Sequence, residues 1–563
     1  MTAEEQTPYT EPPENTPPEQ SAIREERFPS MMLVLTFLYL GAVFLAFRFS
    51  SKLDDSFAVG LDVIMVASMA SGTLLILLWI GWFLFFSRWR WTARILASIA
   101  LISMPVLFVK IFRPVLGGDV TIQRFEPIWE TQQELPAVEQ TVVDLTSETP
   151  NDFPRFLGPT QDSTAPDGFL VDGTRLAEAK VLWKQPIGEG WSGFAARNGF
   201  AVTMEQRQNM ECVTCYSIDD GSLQWLHAHP VRHRDAMNLG RVGPRATPTI
   251  HEGLVYAIGA VGHFVCLNGS DGTVAWEVDL NELLGIELTT AIDGDGQTVT
   301  YEGNTRLAWG RSGAALIVDD LVVIPGGGPI DGEIHSLLAF DRRTGELRWK
   351  GGDEMIAYGS PTLANVAGVD QILMTCENFA MGFDPESGKA LWKFARPGKS
   401  DGEANTSQLT VVSADQVLTS KGYPDGGGEL IQLTNADGQL SAKSLWNNTR
   451  ALKTKLMSPV ILNGHAYSLS NGFLECAGLS DGERIWKHRG RFGHGQMLLA
   501  GEDILLISES GELLVFHASP EKFEEVGTLQ LIDGVCWNTL CVYGNKLLIR
   551  SEIEAACVEL PTK

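Results

Sequence analysis

The chain has 563 residues and a formal net charge of −26, with 69 acidic against 43 basic side chains. Nothing in it is basic enough to neutralise a phosphate backbone, which excludes a nucleic-acid binder. The length exceeds one compact domain, and 8 cysteines are too few for a scaffold of this size to depend on disulfides.

Residues 1–30 are rich in Pro, Glu, Gln and Thr and carry almost nothing apolar, so a disordered tail is expected there. No basic segment precedes the first apolar run, which argues against a secretory signal. Three long apolar runs follow, at about 31–47, 64–86 and 95–112. Roughly 20 apolar residues cross a bilayer as a helix, and nearly uncharged runs have no polar face to turn outward from a soluble core. They are read as an anchor of about three transmembrane helices. The short segment Arg88-Trp-Arg-Trp-Thr-Ala-Arg94 is the densest cationic stretch near them. The positive-inside rule makes it cytoplasmic and its Trp residues interfacial. The tail is then cytoplasmic as well, and the chain after residue 112 lies outside the cytoplasm. A Pro- and Glu-containing linker is expected over 113–150, and a β-domain over 151–563.

That domain is built from a repeat: a strand, a tight Asp/Gly turn, and a strand carrying Trp. The copies run Tyr216–Gly221 to Trp225, Leu267–Gly272 to Trp276, Phe340–Gly345 to Trp349, Phe383–Gly388 to Trp392, and Leu479–Gly482 to Trp486. In each the Gly precedes the Trp by four residues, and Asp437-Gly438 to Trp446 repeats the pattern with a longer spacing. Gly supplies the positive φ of the turn, and the Trp is placed to pack between neighbouring sheets. Self-similarity at about 40–50 residues with short strands marks a propeller.

An independent register counts the blades. Small-residue pairs open the innermost strands at Ser192-Gly193, Thr247-Pro248, Ala314-Ala315, Ser360-Pro361, Ser407-Gln408, Ser458-Pro459, Gly495-Gln496 and Asn538-Thr539. This predicts an all-β eight-bladed propeller. The last copy ends near Leu560 without a Trp strand, while an orphan strand, Val181–Lys184, precedes the first. Pairing the two closes the ring and leaves no open sheet edge. The seventh blade, about 513–531, lacks the Trp.

The Asp341-Arg-Arg-Thr-Gly345 to Trp349 unit resembles the pyrroloquinoline quinone (PQQ) repeat. Quinoprotein dehydrogenases share that repeat with the propeller lipoprotein of the outer-membrane β-barrel assembly machinery. Gly243–Thr249, Trp309–Ser312, Gly493–Gln496, Ser508–Glu512 and Arg550–Cys557 are similar to a bacterial family of PQQ-like propeller proteins. The resemblance covers about 152–560 and implies the fold more sharply than the function.

It raises two readings. One is a PQQ- and calcium-dependent oxidoreductase passing electrons to membrane quinone, since membrane glucose dehydrogenases of the quinoprotein group also hang a propeller from several helices. The residues argue against it. There is no adjacent Cys pair, Cys212-Val-Thr-Cys215 is followed by Tyr216 rather than the His of a haem site, and about 410 residues leave little beyond a bare ring. The other is a non-catalytic binding or scaffold module with no cofactor, whose ligand is a protein, peptide or carbohydrate. A sensor with the tail as output is a third, weaker reading.

Cys215, Cys266 and Cys476 each lie ten residues before a blade Trp, and Cys557 holds the same register in the last blade, so structural thiols are expected. His227, His229 and His233 fall among Arg232, Arg234, Arg241 and Arg245, which would repel a cation, and Asp293-Gly-Asp-Gly-Gln297 has Asn304 rather than Glu at the twelfth position of a calcium loop. No metal site is assigned. Residues just before the small pairs should ring the axial funnel. With Glu509 from a second-strand turn, the candidate binding set is Trp191, Arg245, Arg311, Tyr358, Asn405, His494, Glu509 and Trp537. Aromatic and Arg anchors among polar groups are what recognition surfaces use.

Overall fold

The structure, a computed structural model, describes residues 30–50, 52–53, 60–128, 134–136, 141–236, 240–294, 296–423 and 426–563. The tail expected over the first thirty residues lies outside them, apart from Ser30. The chain divides into two compact units. One is helical, with α1 (Ser30–Arg48), α2 (Leu61–Phe86) from Ala67 onward, and α3 (Trp91–Ile111); the three helices are each long and apolar enough to cross a membrane. The third helix starts earlier than its apolar run suggests, so Arg94 is helical, and its guanidinium donates to the carbonyls of Trp89 and Leu84.

The other unit is an eight-bladed propeller. The described residues form eight four-stranded sheets, each an antiparallel meander. Blade 1 runs from Ala195–Arg197 to Leu223–His229, blade 2 from Thr249–His251 to Val274–Asp279, and blade 3 from Leu316–Val318 to Leu347–Gly351. Blade 4 runs from Thr362–Val366 to Ala390–Ala395, blade 5 from Thr410–Ser413 to Gln439–Asn448, and blade 6 from Val460–Leu462 to Arg484–Arg491. Blade 7 runs from Gln496–Ala500 to Glu524–Gln530. Blade 8 takes three strands from Cys541–Glu559, and its outermost strand is Lys180–Pro186, with Trp183 opposite Cys557. The ring closes through the orphan strand as expected, and one sheet is stitched from both ends of the domain.

Most blade Trp residues leave their own sheet and dock on the Asp/Gly turn of the next blade. The indole N–H of Trp225 donates to Gly269, that of Trp276 to Arg342, that of Trp446 to Leu479 and that of Trp183 to Ile218, at 2.8 to 3.1 Å from each carbonyl oxygen. The ring lies against the turn glycine. Gly221, Gly272, Gly345, Gly388 and Gly482 share φ between +69° and +74°. A Cβ on Gly272 or Gly345 would meet the Trp225 or Trp276 ring at 2.6 or 2.7 Å. Glycine is needed twice over, for the turn and for the approach. Where the spacing lengthens, at Asp437-Gly438, the docking is lost. Gly438 faces open space, and Trp392 of blade 4 turns its N–H to Gln371 instead. Blade 7 has no Trp; the turn Gly173–Glu178 packs on its outer strand, with Gly173 against Val515 and Val526.

The small pairs form a second, inner ring of contacts. The Gly193 N–H donates to Thr247 Oγ1, Ala314 to Ser360 Oγ, Ser360 to Gln408 Oε1 and Gln408 to Ser458 Oγ, so a blade's backbone is held by the next blade's side chain. Both rings explain why the repeat is legible: each position has a partner in the neighbouring sheet.

The segment expected as a linker carries structure at both ends. It opens with a hairpin, β1 (Phe112–Leu116) and β2 (Ile122–Pro127), paired Phe112 to Pro127. It closes by running along blades 1 and 2, where Thr141 and Val143 donate to the Gln224 and Ser270 carbonyls and Val143 and Leu145 are buried.

All eight cysteines are free and buried. Cys215, Cys266 and Cys476 lie directly opposite Trp225, Trp276 and Trp486. Burial pushes the Cys266, Cys376 and Cys557 thiols up to about 12. No thiol should react with a maleimide in the native protein, and all eight should react once it is unfolded in guanidinium, as counted by intact mass. For the docking ring, Gly345→Ala should destabilise the propeller by about 2–4 kcal/mol and Trp276→Ala by about 3–5. Gly438→Ala, where nothing approaches, should cost only about 1 kcal/mol for its positive φ. Denaturant unfolding of the three variants checks the order.

Candidate functional site

The eight inner strands all start on one face, around the axis. There the residues before the small pairs surround a cavity of roughly 340 Å³, to which every blade contributes. Of the candidate set, Trp191, Arg245, Tyr358, His494 and Trp537 line it. Trp309, Thr406, Tyr423, Lys455 and Gln496 complete much of the wall.

Two aromatic groups dominate. Trp191 and Trp537, from the adjacent blades 1 and 8, stack with centroids 4.3 Å apart; across the cavity Trp309 meets Tyr358 edge-on at 5.5 Å. The polar atoms of Trp191, Trp537 and Tyr358 are satisfied inside the protein. Trp191 donates to the Gly240 carbonyl and Trp537 to Glu509 Oε1 at 2.7 Å, while the Tyr358 hydroxyl donates to the Ser400 carbonyl. The apolar ring faces are what remain for a ligand.

The charged groups lie behind and between these rings. Arg245 is buried, its guanidinium donating to the Gly243 and Gly240 carbonyls with Asp235 at 3.9 Å, and desolvation lowers its pKa. Lys455 sits over the Tyr423 ring at 5.6 Å. His494 is buried, and burial together with Lys455 holds its pKa down to about 3, so it is neutral at physiological pH.

Three of the sequence-assigned residues sit just outside the cavity wall. Arg311 grips the Glu302 carboxylate at 2.5 Å and the Gly326 carbonyl at 2.6 Å. Asn405 spends its amide on the carbonyls of Glu377 and Arg396. Glu509 accepts from Trp537 and from the backbone of Gly118.

Gly118 belongs to the tip of the β1–β2 hairpin, which sequence reasoning did not place here. Val115 packs with Trp191, Trp537 and Val535, and Gly117, Gly118 and Val120 join the cavity wall. Asp119, 2% exposed, lies with Oδ1 2.9 Å from Lys455 Nζ and 3.0 Å from His494 Nε2, and its other oxygen contacts Arg491. The base is held by charge too: Arg124 meets Glu552 at 2.8 Å, and Arg241 bridges Glu126 at 2.7 Å and Glu552 at 3.1 Å. The available signal was Gly117-Gly118-Asp119 between two apolar stretches, a hairpin turn in composition.

The three histidines expected between blades 1 and 2 separate: His227 and His229 lie on the outer strand of blade 1, and His233 lies in the insert after it. His227 and His229 share a side of the strand, as alternation requires, and His229 stacks on His263 at 3.8 Å, a parallel ring contact unlike shared metal ligation. His233 turns away, its nitrogens facing the Thr300 and Trp309 carbonyls. Asp293 caps its turn through the Gln297 N–H and directs its second oxygen at Arg234, 3.1 Å away. Among the described residues no group of three or more His, Cys, Asp or Glu is arranged to hold a metal ion.

A sequence profile described as outer membrane protein assembly factor BamB matches residues 174–488, more than half of the chain. The chain belongs to this family. Among solved structures it is similar to BamB from Moraxella catarrhalis, at 12% identity and a TM-score of 0.45, over 68% of this chain and 100% of that one. It is also similar to the quinohemoprotein alcohol dehydrogenase of Comamonas testosteroni, at 12% identity and 0.49, over 74% and 82%. The computationally designed Ika8 protein matches at 11% and 0.45, over 67% and 98%. No curated protein sequence matches the chain. Membership of the BamB family rests on the repeat region alone; the match begins after both the helices and the hairpin.

On the same face, Glu211 of blade 1 is buried, accepting the Ala260 N–H at 3.0 Å, and burial raises its pKa to about 7. The folded state therefore holds the proton more tightly than the unfolded chain does. Stability should fall by about 3 kcal/mol as pH rises from about 4.5 to 7 and level off above. Glu211→Gln should remove that slope, as read from denaturation midpoints across pH 4.5 to 8.

Proposed function

We propose that the protein is a membrane-anchored, extracytoplasmic propeller that works as a non-catalytic binding or scaffold module for a protein, peptide or carbohydrate. The observation that carries this reading is the make-up of the funnel. Every blade supplies at least one wall residue, aromatic rings line the cavity, and their polar neighbours are engaged by internal partners. The thiols are buried with raised pKa values, and His494 is neutral. The family's description as an assembly factor favours a protein partner. The cationic Arg88–Arg94 segment, spanning the turn after the second helix and the first residues of the third, supports a cytoplasmic side for that connection, and with it an extracytoplasmic propeller.

A PQQ-dependent oxidoreductase has the fold in its favour but not the donors. Calcium takes six to eight oxygen ligands, several of them carboxylates. Around this cavity Asp119 is shared among Lys455, His494 and Arg491, and Glu509 is engaged by Trp537 and Gly118. The one carboxylate among the described residues of the cavity wall itself, Asp62, lies 3.8 Å from Lys455, so the wall falls short of the several carboxylates such a site uses.

The test has two arms on the full-length protein. A photo-crosslinking residue at the exposed rim position Asp401, used in cells, should trap a discrete partner. The solubilised protein, mixed with PQQ, calcium and a panel of alcohols and sugars, should neither bind the quinone nor reduce a dye. Stoichiometric quinone binding with turnover would overturn the reading.

A further inference from the structure

Asp119 is a carboxylate taken almost wholly out of water, and the protein has built a cationic socket for it. Lys455 and Arg491, from blade 6 and its approach, and His494, from the approach to blade 7, converge on the two oxygens. Glu509 anchors the neighbouring Gly118 N–H. A buried carboxylate is tolerated only with such partners, and removing either side leaves the other desolvated.

Three further features say that the socket accepts a tight turn. Gly118 passes so close to His494 and Glu509 that a Cβ there would strike the imidazole. Val120 adopts φ of +59°, which β-branched residues rarely do unless surrounding contacts over-determine it. Beneath the tip the cavity of roughly 340 Å³ stays open between the Trp191–Trp537 and Trp309–Tyr358 pairs. The hairpin thus fills the mouth and leaves the aromatic chamber below it.

We infer that the funnel is a binding site for an acidic peptide turn, and that the β1–β2 hairpin is its built-in competitor, with Asp119 standing in the socket that the ligand's own carboxylate occupies. This inference rests on the binding-module reading and names its ligand class. The hairpin is tethered, so its effective concentration at the funnel is in the millimolar range, and a ligand arriving from outside must displace it. Once the hairpin withdraws, Lys455, with Asp62 still 3.8 Å away, and Arg491 face the incoming carboxylate, and the chamber takes the apolar side chains beside it.

The probe is a fluorescent peptide with the sequence of residues 112–127, added to the full-length protein in detergent. Wild type should bind it weakly because its own hairpin holds the site. Asp119→Asn, which loosens the tip, and Gly118→Ala, which expels it sterically, should each bind the peptide at least about tenfold more tightly. A peptide with Asn in place of its Asp should lose that gain, and Lys455→Gln in either background should abolish it. Unchanged unfolding midpoints for the two hairpin variants would show that the ring is intact. No gain in both variants, or equal binding of the Asn peptide, overturns the inference. If the crosslinked partner is nevertheless retained, the scaffold reading stands and its surface lies elsewhere. If the peptide binds as described but no partner is trapped in cells, the scaffold reading fails while the acidic-turn site stands.

Discussion

The contact of a blade tryptophan with the glycine turn of the next blade is what the rest of the propeller depends on. A four-stranded sheet exposes two apolar faces and cannot bury them alone; stacked radially, each covers its neighbour. The indole adds direction to that burial, because its N–H must find one carbonyl while its ring lies flat on a backbone that carries no Cβ. Neighbouring blades are therefore set at one angle and one radius, and the ring closes when Trp183, from the strand before blade 1, makes the same contact from blade 8. The cysteines opposite Trp183, Trp225, Trp276 and Trp486 fit the same arrangement: a small apolar side chain sits beside a large one.

Where this contact is missing, the protein compensates locally. Trp392 bonds within its own sheet when blade 5 presents a longer turn, and the Gly173–Glu178 turn covers blade 7, which lacks a tryptophan. The inner hydrogen bonds from Gly193, Ala314, Ser360 and Gln408 continue through this region, so the axis stays regular while the periphery varies. That regularity brings eight chain-distant residues to one cavity wall.

The electrostatics of that wall run against the whole-chain charge. The protein is strongly acidic, yet the funnel gathers Arg245, Lys455 and Arg491 around a neutral His494. Cations drawn into a low-dielectric mouth require anions, and here the chain itself supplies them through Asp119, with Asp62 3.8 Å from Lys455 and Asp235 3.9 Å from Arg245.

The repeat, the blade count, the ring closure and the buried thiols were legible in the sequence because each rests on a fixed spacing. Gly four residues before Trp, a small pair before each inner strand, and Cys ten residues before Trp are all set by the strand period and the hairpin length. The funnel set was legible in position and only partly in direction. Trp191, Arg245, Tyr358, His494 and Trp537 face the cavity, whereas Arg311 and Asn405 turn to backbone carbonyls that no spacing reveals, and Trp309 and Lys455 stand in the wall in their place. The hairpin was hidden by its composition, which reads as a linker. Its tip is distant in sequence from Lys455, Arg491 and His494, and only the closed ring puts them within reach. The sequence by itself determined the architecture, since a repeat writes its neighbour contacts into every copy. The tertiary structure alone decided what fills the funnel, since a single hairpin meeting a single socket leaves no period to read.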